Sequence, residues 1–341
     1  MKLRNYIMKR ILHSIFVLIG LSILIFIITR VIPGDPVKLA LGPRASEAAV
    51  ESLERQLNLD KPLLTQYFLW FKGVLVGDFG MSLQTRMPVI EDITKYLPAT
   101  LELIFIALII ETIGGILLGV LSAKYSGTWF DGIVRVIAYI GVATPAFVWA
   151  VIFMLLFGFY LEILPTMGRI STIIQKPPSI TGFITIDSLL DGNVKAYFDA
   201  LKHLIMPSTA LALGGLAQAT RITRSSMTEV MEKDYVWSEI SAGIPMRVVM
   251  IKYILRPSLI PTVSIIALDV ASMVANAFLV ELVFNYPGLS RYGINAMLTK
   301  DINSIIAVIL VIGIMFILLN ILVDIIVAIL DPRIKATGGE A

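Results

Sequence analysis

The sequence predicts an all-α integral membrane protein with six transmembrane helices. Of its 341 residues, 57% are hydrophobic and only 16% are charged. A soluble domain carries about 25% charged residues, so this composition indicates a chain solvated mainly by lipid. A helix needs about 20 mostly apolar residues to cross a hydrocarbon core of roughly 30 Å. Six runs meet this requirement, at about 11–29, 100–122, 133–160, 204–222, 259–281 and 304–330.

The six runs are expected to be helices because lipid offers no hydrogen-bond partner outside the segment to backbone polar groups. The apolar run Ile11 to Ile28 is longer than the roughly 7–15 residues of a signal-peptide core, so an uncleaved first span is expected. In the second span, the small residues of "GILLG" (115–119) suit close helix packing. Pro145 lies midway along the third span and is expected to kink it, and Pro207 is a second candidate kink near the start of the fourth.

The distribution of basic residues predicts the orientation in the membrane. Lys2, Arg4, Lys9 and Arg10 precede the first span with no acid among them, which predicts a cytoplasmic N-terminus. Six spans return the C-terminus to the same side, so both termini are expected in the cytoplasm and the chain in the cytoplasmic membrane. The segment 221–256 then lies inside, and its six basic residues against four acidic ones agree with that.

Three regions follow from these spans. Residues 1–99 hold the N-terminal span and an external cap, which contains the aromatic "YFLWF" and turn-forming glycines at 77 and 80. Residues 100–335 form a five-span core with a cytoplasmic loop at 222–258, and residues 336–341 form a C-terminal tail.

The composition excludes several kinds of chemistry. The chain has no cysteine and only two histidines, far apart, so disulfides, thiolate sites and a histidine-based metal site are not expected. The net charge of +3 is too small and dispersed to predict nucleic-acid binding. No phosphate-binding loop, nucleophile elbow or zinc-protease motif is found, so we expect no cofactor and no catalytic residue.

Two acids lie near the middle of spans. Glu111 and Asp269 would each cost about 2.5–3.5 kcal/mol at a helix centre, so each is expected to have a partner or to face water. Lining a translocation path together with Pro145 and forming a structural buried pair are both open. Glu102 and Glu281 lie near span ends, where a salt bridge or solvation is expected.

The cytoplasmic loop contains "SEISAGIPMRVVMIKYILRPSLIP" (238–261), an unusually polar stretch between two spans. Two short helices joined by a turn are expected, with N-terminal caps at Ser226 and Asp234, a left-handed Gly243 ending the first helix, and Pro245 in the first turn of the second. Spacing places Met246, Val249, Met250, Tyr253 and Ile254 on one apolar face of that second helix. This face either lies on the inner leaflet or fills a groove on a partner protein.

The loop resembles a motif of a known family. Glu239-Ile240-Ser241-Ala242-Gly243, followed by Leu259-Ile260-Pro261, is similar to the cytoplasmic "EAA" loop of ABC importer permeases, with Ile240 and Ser241 replacing its two alanines. Six further segments resemble, in order and at fitting spacing, the first permease subunit of dipeptide and oligopeptide importers. They are "RVIPGDP" (30–36), "GDFGMSL" (77–83), "LPATLEL" (97–103), "SSMTEVMEKDYV" (225–236), "VFNYPGLSR" (283–291) and "NILVDIIVAILDPRIK" (320–335).

The resemblance implies a permease subunit that moves small peptides by alternating access, driven by ATP hydrolysed elsewhere. It implies as partners a second permease subunit, expected to be a paralogue, two cytoplasmic ATPases and an extracytoplasmic substrate-binding protein. The ATPase-coupling loop would comprise Asp234, Glu239, Ala242, Gly243, Pro245, Arg247 and Pro261. The family also includes carriers of nickel complexes and oligosaccharides.

Two rival functions are open to test. An ion-coupled secondary transporter would use Glu111 and Asp269 and would need no ATPase. An intramembrane hydrolase would need paired aspartates, a Ser–His pair or a metal constellation, and the sequence supports none of these.

Overall fold

A computed structural model describes residues 3–31, 46–48, 51, 55 and 59–330. The "RVIPGDP" segment, apart from its first two residues, and the tail 336–341 lie outside the described residues. Helices build the described part, which confirms the all-α class. They are α1 (Leu3–Val31), α2 (Leu63–Leu75), α3 (Val89–Lys124), α4 (Trp129–Ala143), α5 (Ala146–Tyr160), α6 (Ile184–Leu190), α7 (Val194–Met231), α8 (Asp234–Ser241), α9 (Met246–Val283), α10 (Leu289–Leu298) and α11 (Ile302–Leu330).

The described helices account for the six predicted spans. Five of them, α1, α3, α7, α9 and α11, are each long and apolar enough to cross a membrane. The bent pair α4–α5 supplies a sixth span if it crosses as one unit. Several helices extend beyond their apolar runs: α3 begins at Val89 rather than near residue 100, and α7 extends over 38 residues.

Helix α7 is the centre of the bundle, in contact with α3, α4, α5, α6 and α9. Glycines make its approach to α3 close. A Cβ atom on Gly115 would lie 2.6 Å from that of Ala219, and one on Gly119 would lie 2.5 Å from that of Thr223. These distances are shorter than any real Cβ contact, so glycine is required at both positions. The packing role predicted for "GILLG" is confirmed.

The third span breaks at Pro145. Helix α4 ends at Ala143, α5 begins at Ala146, and their axes make an angle of 109°. Pro145 has no N–H to continue the helical hydrogen bonds, and its ring disfavours a helical residue before it. The kink is therefore confirmed. Pro207, in contrast, lies inside the unbroken helix α7.

The N-terminal helix lies at the edge of the bundle, against α11 and α2. Aromatic rings join α1 to α2: Phe26 packs against Tyr67 and Trp70, and the hydroxyls of Ser22 and Tyr67 lie 2.8 Å apart. After α2, Gly77 and Gly80 both have φ of 82°, as the turn signals predict.

Candidate functional site: the α8 surface and a mid-membrane acid pair

Helix α8 connects the two long helices α7 and α9 at one end of the bundle. The first predicted cap is wrong, because Ser226 lies inside α7, which continues to Met231. The second predicted cap is also wrong, because Asp234 is the first residue of α8 and Lys233 occupies the N-cap position. Only two residues therefore separate α7 from α8.

A tight turn ends α8. Gly243 has φ of 78°, a left-handed conformation that costs every residue with a Cβ atom. Its N–H donates to the carbonyl of Ile240 at 3.0 Å, and the N–H of Ile244 donates to that of Glu239 at 3.2 Å. These two bonds form a Schellman motif, so the left-handed, helix-ending conformation predicted for Gly243 is confirmed.

Part of the apolar face after Pro245 packs against the protein itself, whereas Met246 is 60% exposed. Pro245 is the N-cap of a helix that is continuous with the fifth span, including a wide π-helical turn at Val249–Leu255. Val249 and Ile254 are buried in a cluster with Ala123, Met227 and Val236. Neither lipid nor a partner groove is therefore needed to cover these two residues. The loop's second helix is the start of α9.

Helix α8 and the turn that follows it share one exposed surface. We call this the α8 surface: Asp234, Trp237, Ala242, Gly243, Pro245 and Arg247, all exposed. Trp237 is 61% exposed, and a large aromatic side chain in this position is typical of an interface. Glu239 is half-buried beside this surface. Pro261 is exposed but lies inside α9, away from the turn.

A buried ion pair at this end of the bundle was not foreseen from the sequence. Asp131 on α4 is fully buried, and Arg224 on α7 donates to both its oxygens, at 2.5 Å from Nε and 2.8 Å from Nη2. The hydroxyl of Ser122 and the N–H of Gly127 also donate to this carboxylate. The sequence shows only two arginines, Arg221 and Arg224, on the helix that precedes α8, and neither identifies a partner.

The structure brings the two midspan acids together. Glu111 of α3 is fully buried, and Asp269 of α9 is partly exposed. Both carboxyl groups converge on Gly215 of α7, where an added Cβ would overlap both of them. Among the residues that the structure describes, no hydrogen-bond donor satisfies either oxygen of Glu111. Pro145, the third residue predicted for a path, lies exposed at the α4–α5 break.

A polar face of α9 continues from this pair. Ser272 and Asn276 follow Asp269 at three and seven residues, which places all three on one side of the helix. Ser272 and Asn276 are exposed, although they lie inside a membrane-spanning helix. Polar side chains are costly against lipid, so this face is suited to contact water or another protein.

The acids near span ends have partners at the opposite end of the bundle. Glu102 pairs with Arg169 and accepts hydrogen bonds from the N–H of Thr185 at 2.8 Å and its hydroxyl at 2.5 Å. Glu281 accepts from the hydroxyl of Thr100 at 2.5 Å. It also accepts from the first backbone N–H groups of α10, with Ser290 at 3.0 Å. A helix N-terminus is a favourable place for a carboxylate.

A cavity of about 410 Å³ opens at this same end, with Lys95, Arg169, Lys176 and Asp187 among its lining residues. Burial opposes a charged Arg169, but Tyr286 and Glu102 outweigh it, so the pKa of Arg169 is raised. Burial likewise opposes a charged Asp187. Hydrogen bonds from Thr181 and from the N–H of Gly182 outweigh that effect and lower the pKa of Asp187.

Comparison with known sequences gives a consistent result. Residues 115–336 match the family model described as "Binding-protein-dependent transport system inner membrane component", and residues 3–104 match the model of the corresponding N-terminal region. The chain is 38% identical to a dipeptide transport system permease protein of Alkalihalophilus pseudofirmus, over 97% of this chain and 99% of the relative. It is 36% identical to the dipeptide transport permease of Escherichia coli K12 (97% and 98%). It is 31% identical to a glutathione transport permease of Escherichia coli O1:K1 (97% and 99%).

Proposed function

Since the chain belongs to the family of binding-protein-dependent transport system inner membrane components, we propose that it is the permease subunit of an ATP-driven importer of small peptides. As a member it is a multi-pass inner-membrane component without a catalytic role of its own. The dipeptide permeases among its relatives support peptides as the substrate class. The observation that carries the mechanism is the exposed α8 surface on a rigid turn between two long helices.

The connections of α8 suit it to transmit force. Two residues join it to α7, and a four-residue turn, Ala242–Pro245, joins it to α9. A displacement of α8 therefore moves both helices, and α7 contacts most of the bundle. We infer that cytoplasmic ATPases hold the α8 surface and that ATP shifts the permease between two access states. ATP can do so only through its different affinity for those states.

This proposal implies particular partner subunits and one orientation of the permease in the membrane. Two ATPases would dock at α8 and its counterpart on a second permease subunit, a paralogue, and a substrate-binding protein would deliver peptides at the α10 end. The basic residues of segment 221–256 support a cytoplasmic α8 end, and both termini then lie in the cytoplasm. Coupling would rest on Asp234, Glu239, Ala242, Gly243, Pro245 and Arg247, with Pro261 acting from within α9. The path would be lined by Glu111, Pro145 and Asp269.

The test changes Gly243 to valine in the complex reconstituted with its ATPases and binding protein. Among the described residues no atom outside the neighbouring positions lies within 4 Å of a Cβ at this position, so the added Cβ itself meets no obstacle there. Its effects are left-handed strain of about 1–2 kcal/mol and bulk on the α8 surface. Uptake of a labelled dipeptide is expected to collapse, with ATP hydrolysis lost or no longer coupled to uptake.

Gly192→Val is the matched control. Gly192 also has a positive φ, of 68°, and no atom of the described part of the chain lies within 4 Å of its Cβ position, but it lies between α6 and α7 at the other end of the bundle. This variant should retain both uptake and ATP hydrolysis. Uptake that continues without ATPases and ignores Gly243→Val would instead support an ion-coupled transporter, which the relatives do not favour. Uptake of dipeptides, longer peptides, nickel chelates and oligosaccharides is measured side by side to identify the substrate.

A further inference from the structure

The acid pair at the centre of the membrane lacks the partners that buried charges need. Glu111 is fully buried, and neither of its oxygens accepts a hydrogen bond from a donor group among the described residues. The other buried acids described above, Glu102, Asp131 and Glu281, each accept several hydrogen bonds. Apart from a proton shared with Asp269, Glu111 has no hydrogen-bond donor among the described residues, so the pair is an incomplete site rather than a finished structural contact.

The geometry limits the charge of the pair. The carboxyl groups of Glu111 and Asp269 meet at one point over Gly215. Two adjacent carboxylates in a medium of low polarity cannot both be ionised, and such pairs hold one proton between them. The remaining negative charge is best solvated on Asp269, because that side chain reaches the surface and Glu111 does not.

The surroundings of Asp269 are suited to a polar cation. Ser272 and Asn276 extend the polar face of α9 by two helical turns, and both offer oxygen atoms as acceptors. An ammonium group has three N–H donors and one positive charge. It would donate to Asp269, the member of the pair that reaches the surface, and neutralise the charge of the pair. The free amino terminus of a peptide is such a group.

We propose that Glu111 and Asp269, supported by Gly215, form a subsite that binds the ammonium group of the peptide in transit. This subsite rests on the proposed function, since it assigns one group of the proposed substrate to the path. The negative charge lowers the barrier for a cationic terminus at the centre of the membrane, where an uncompensated charge is least stable.

The absence of cysteine from the chain allows a direct test in the assembled complex. With Ser272→Cys, the rates of modification by a trimethylammonium methanethiosulfonate and by its sulfonate analogue are measured by intact mass of this chain. We expect the ratio of the cationic to the anionic rate to be about tenfold higher than the same ratio at Ile173→Cys, an exposed loop position that does not line the basic cavity, because a nearby negative charge concentrates cations. Asp269→Asn should abolish the preference, and Glu111→Gln should leave it.

Each outcome decides the proposal. A rate ratio equal to that at the reference cysteine would overturn it, because the pair would then carry no charge. No reaction at either Ser272→Cys or Asn276→Cys would also overturn it, because the face would not be open to water. Asn276→Cys serves as the second variant if Ser272→Cys does not assemble.

Substrate protection identifies the bound group. During turnover, a dipeptide with a free amino terminus should slow modification of the S272C thiol several-fold more than its N-acetyl form, each delivered at saturation of the binding protein. Equal protection by the two, including none, contradicts an ammonium subsite. ATP-dependent uptake by the unmodified complex tests the proposed function separately, so the subsite can fail while the importer stands.

Discussion

Arg224 on α7 holds both carboxylate oxygens of Asp131 on α4, at 2.5 Å and 2.8 Å. Arg224 lies about two helical turns before α7 ends at Met231, where the α3–α4 connection meets the central helix. Ser122 and Gly127 complete the hydrogen bonding of Asp131. This contact therefore joins α3, α4 and α7 into one unit at the end of the bundle where α8 is attached.

Breaking that pair should destabilise the protein strongly. Arg224→Met leaves the fully buried carboxylate of Asp131 without its cation, which costs about 3–5 kcal/mol for a buried pair. The thermal midpoint of the purified complex in detergent should fall by many degrees. Lys233→Met is the control, because Lys233 pairs with Glu229 at 2.9 Å on the exposed surface, and exposed pairs contribute little. Equal midpoints for the two variants would contradict the structural role of Arg224.

Neighbouring glycines in α7 should respond in opposite ways to a methyl group. At Gly215 an added Cβ overlaps the carboxyl groups of both Glu111 and Asp269, whereas at Gly214 its nearest contact is 3.9 Å away. Gly215→Ala should reduce stability and uptake together. Gly214→Ala should be neutral, or stabilise by about 0.5–1 kcal/mol because alanine favours helix.

A second change separates crowding from a general intolerance of α7. Adding Asp269→Ala to Gly215→Ala removes one of the two overlapped carboxyl groups, so part of the lost thermal stability should return. If Gly214→Ala were as damaging as Gly215→Ala, the convergence of the two acids on Gly215 would not be the cause.

Hydropathy predicted the spans because it reports which residues contact lipid. It did not predict that α3 begins at Val89, since residues 89–99 are helical through contacts with the protein rather than with lipid. The same limit applies to the segment after Pro245. The apolar spacing of Val249 and Ile254 correctly indicated that one helical side is buried there, but periodicity does not say which part of the protein buries it. Only the tertiary structure shows that α9 continues through this stripe into the membrane.

The site residues divide in the same way. Gly243 was predictable because a left-handed glycine at a helix end is a local feature. The pairing of Glu111 with Asp269, or of Asp131 with Arg224, joins residues more than ninety positions apart, and a single sequence contains no signal for such contacts. What the sequence does supply is the cost of a midspan acid, which indicated that each needs a partner or water.

Glu281 should be sensitive even to replacement by an amide of the same shape. Its carboxylate accepts from Thr100 and from the N–H groups of Ser290 and Arg291 at the start of α10. Glu281→Gln keeps the shape but places an NH2 group where a donor already points, which leaves buried groups unsatisfied at about 1–3 kcal/mol. The thermal midpoint should fall, while Glu91→Gln, on the exposed first turn of α3, should leave it unchanged. A neutral Glu281→Gln would mean that the α10 end does not depend on this carboxylate.

The break at Pro145 should be needed for uptake more than for stability. With Pro145→Ala, the α4 helix can continue through residue 145, because the missing N–H is restored and a ring clash of about 3 kcal/mol is removed. Spin labels are attached to cysteines introduced at Ile133 and Leu156, both exposed. The distance between the labels, measured by pulsed electron paramagnetic resonance, reports the bend. We expect a longer distance between the labels, reduced dipeptide uptake and an unchanged or higher thermal midpoint.

Pro207→Ala is the control, because Pro207 lies in an unbroken helix and its loss should change neither the label distance nor uptake. If Pro145→Ala straightened the span and uptake continued at the original rate, the break would be a packing feature without a role in the path.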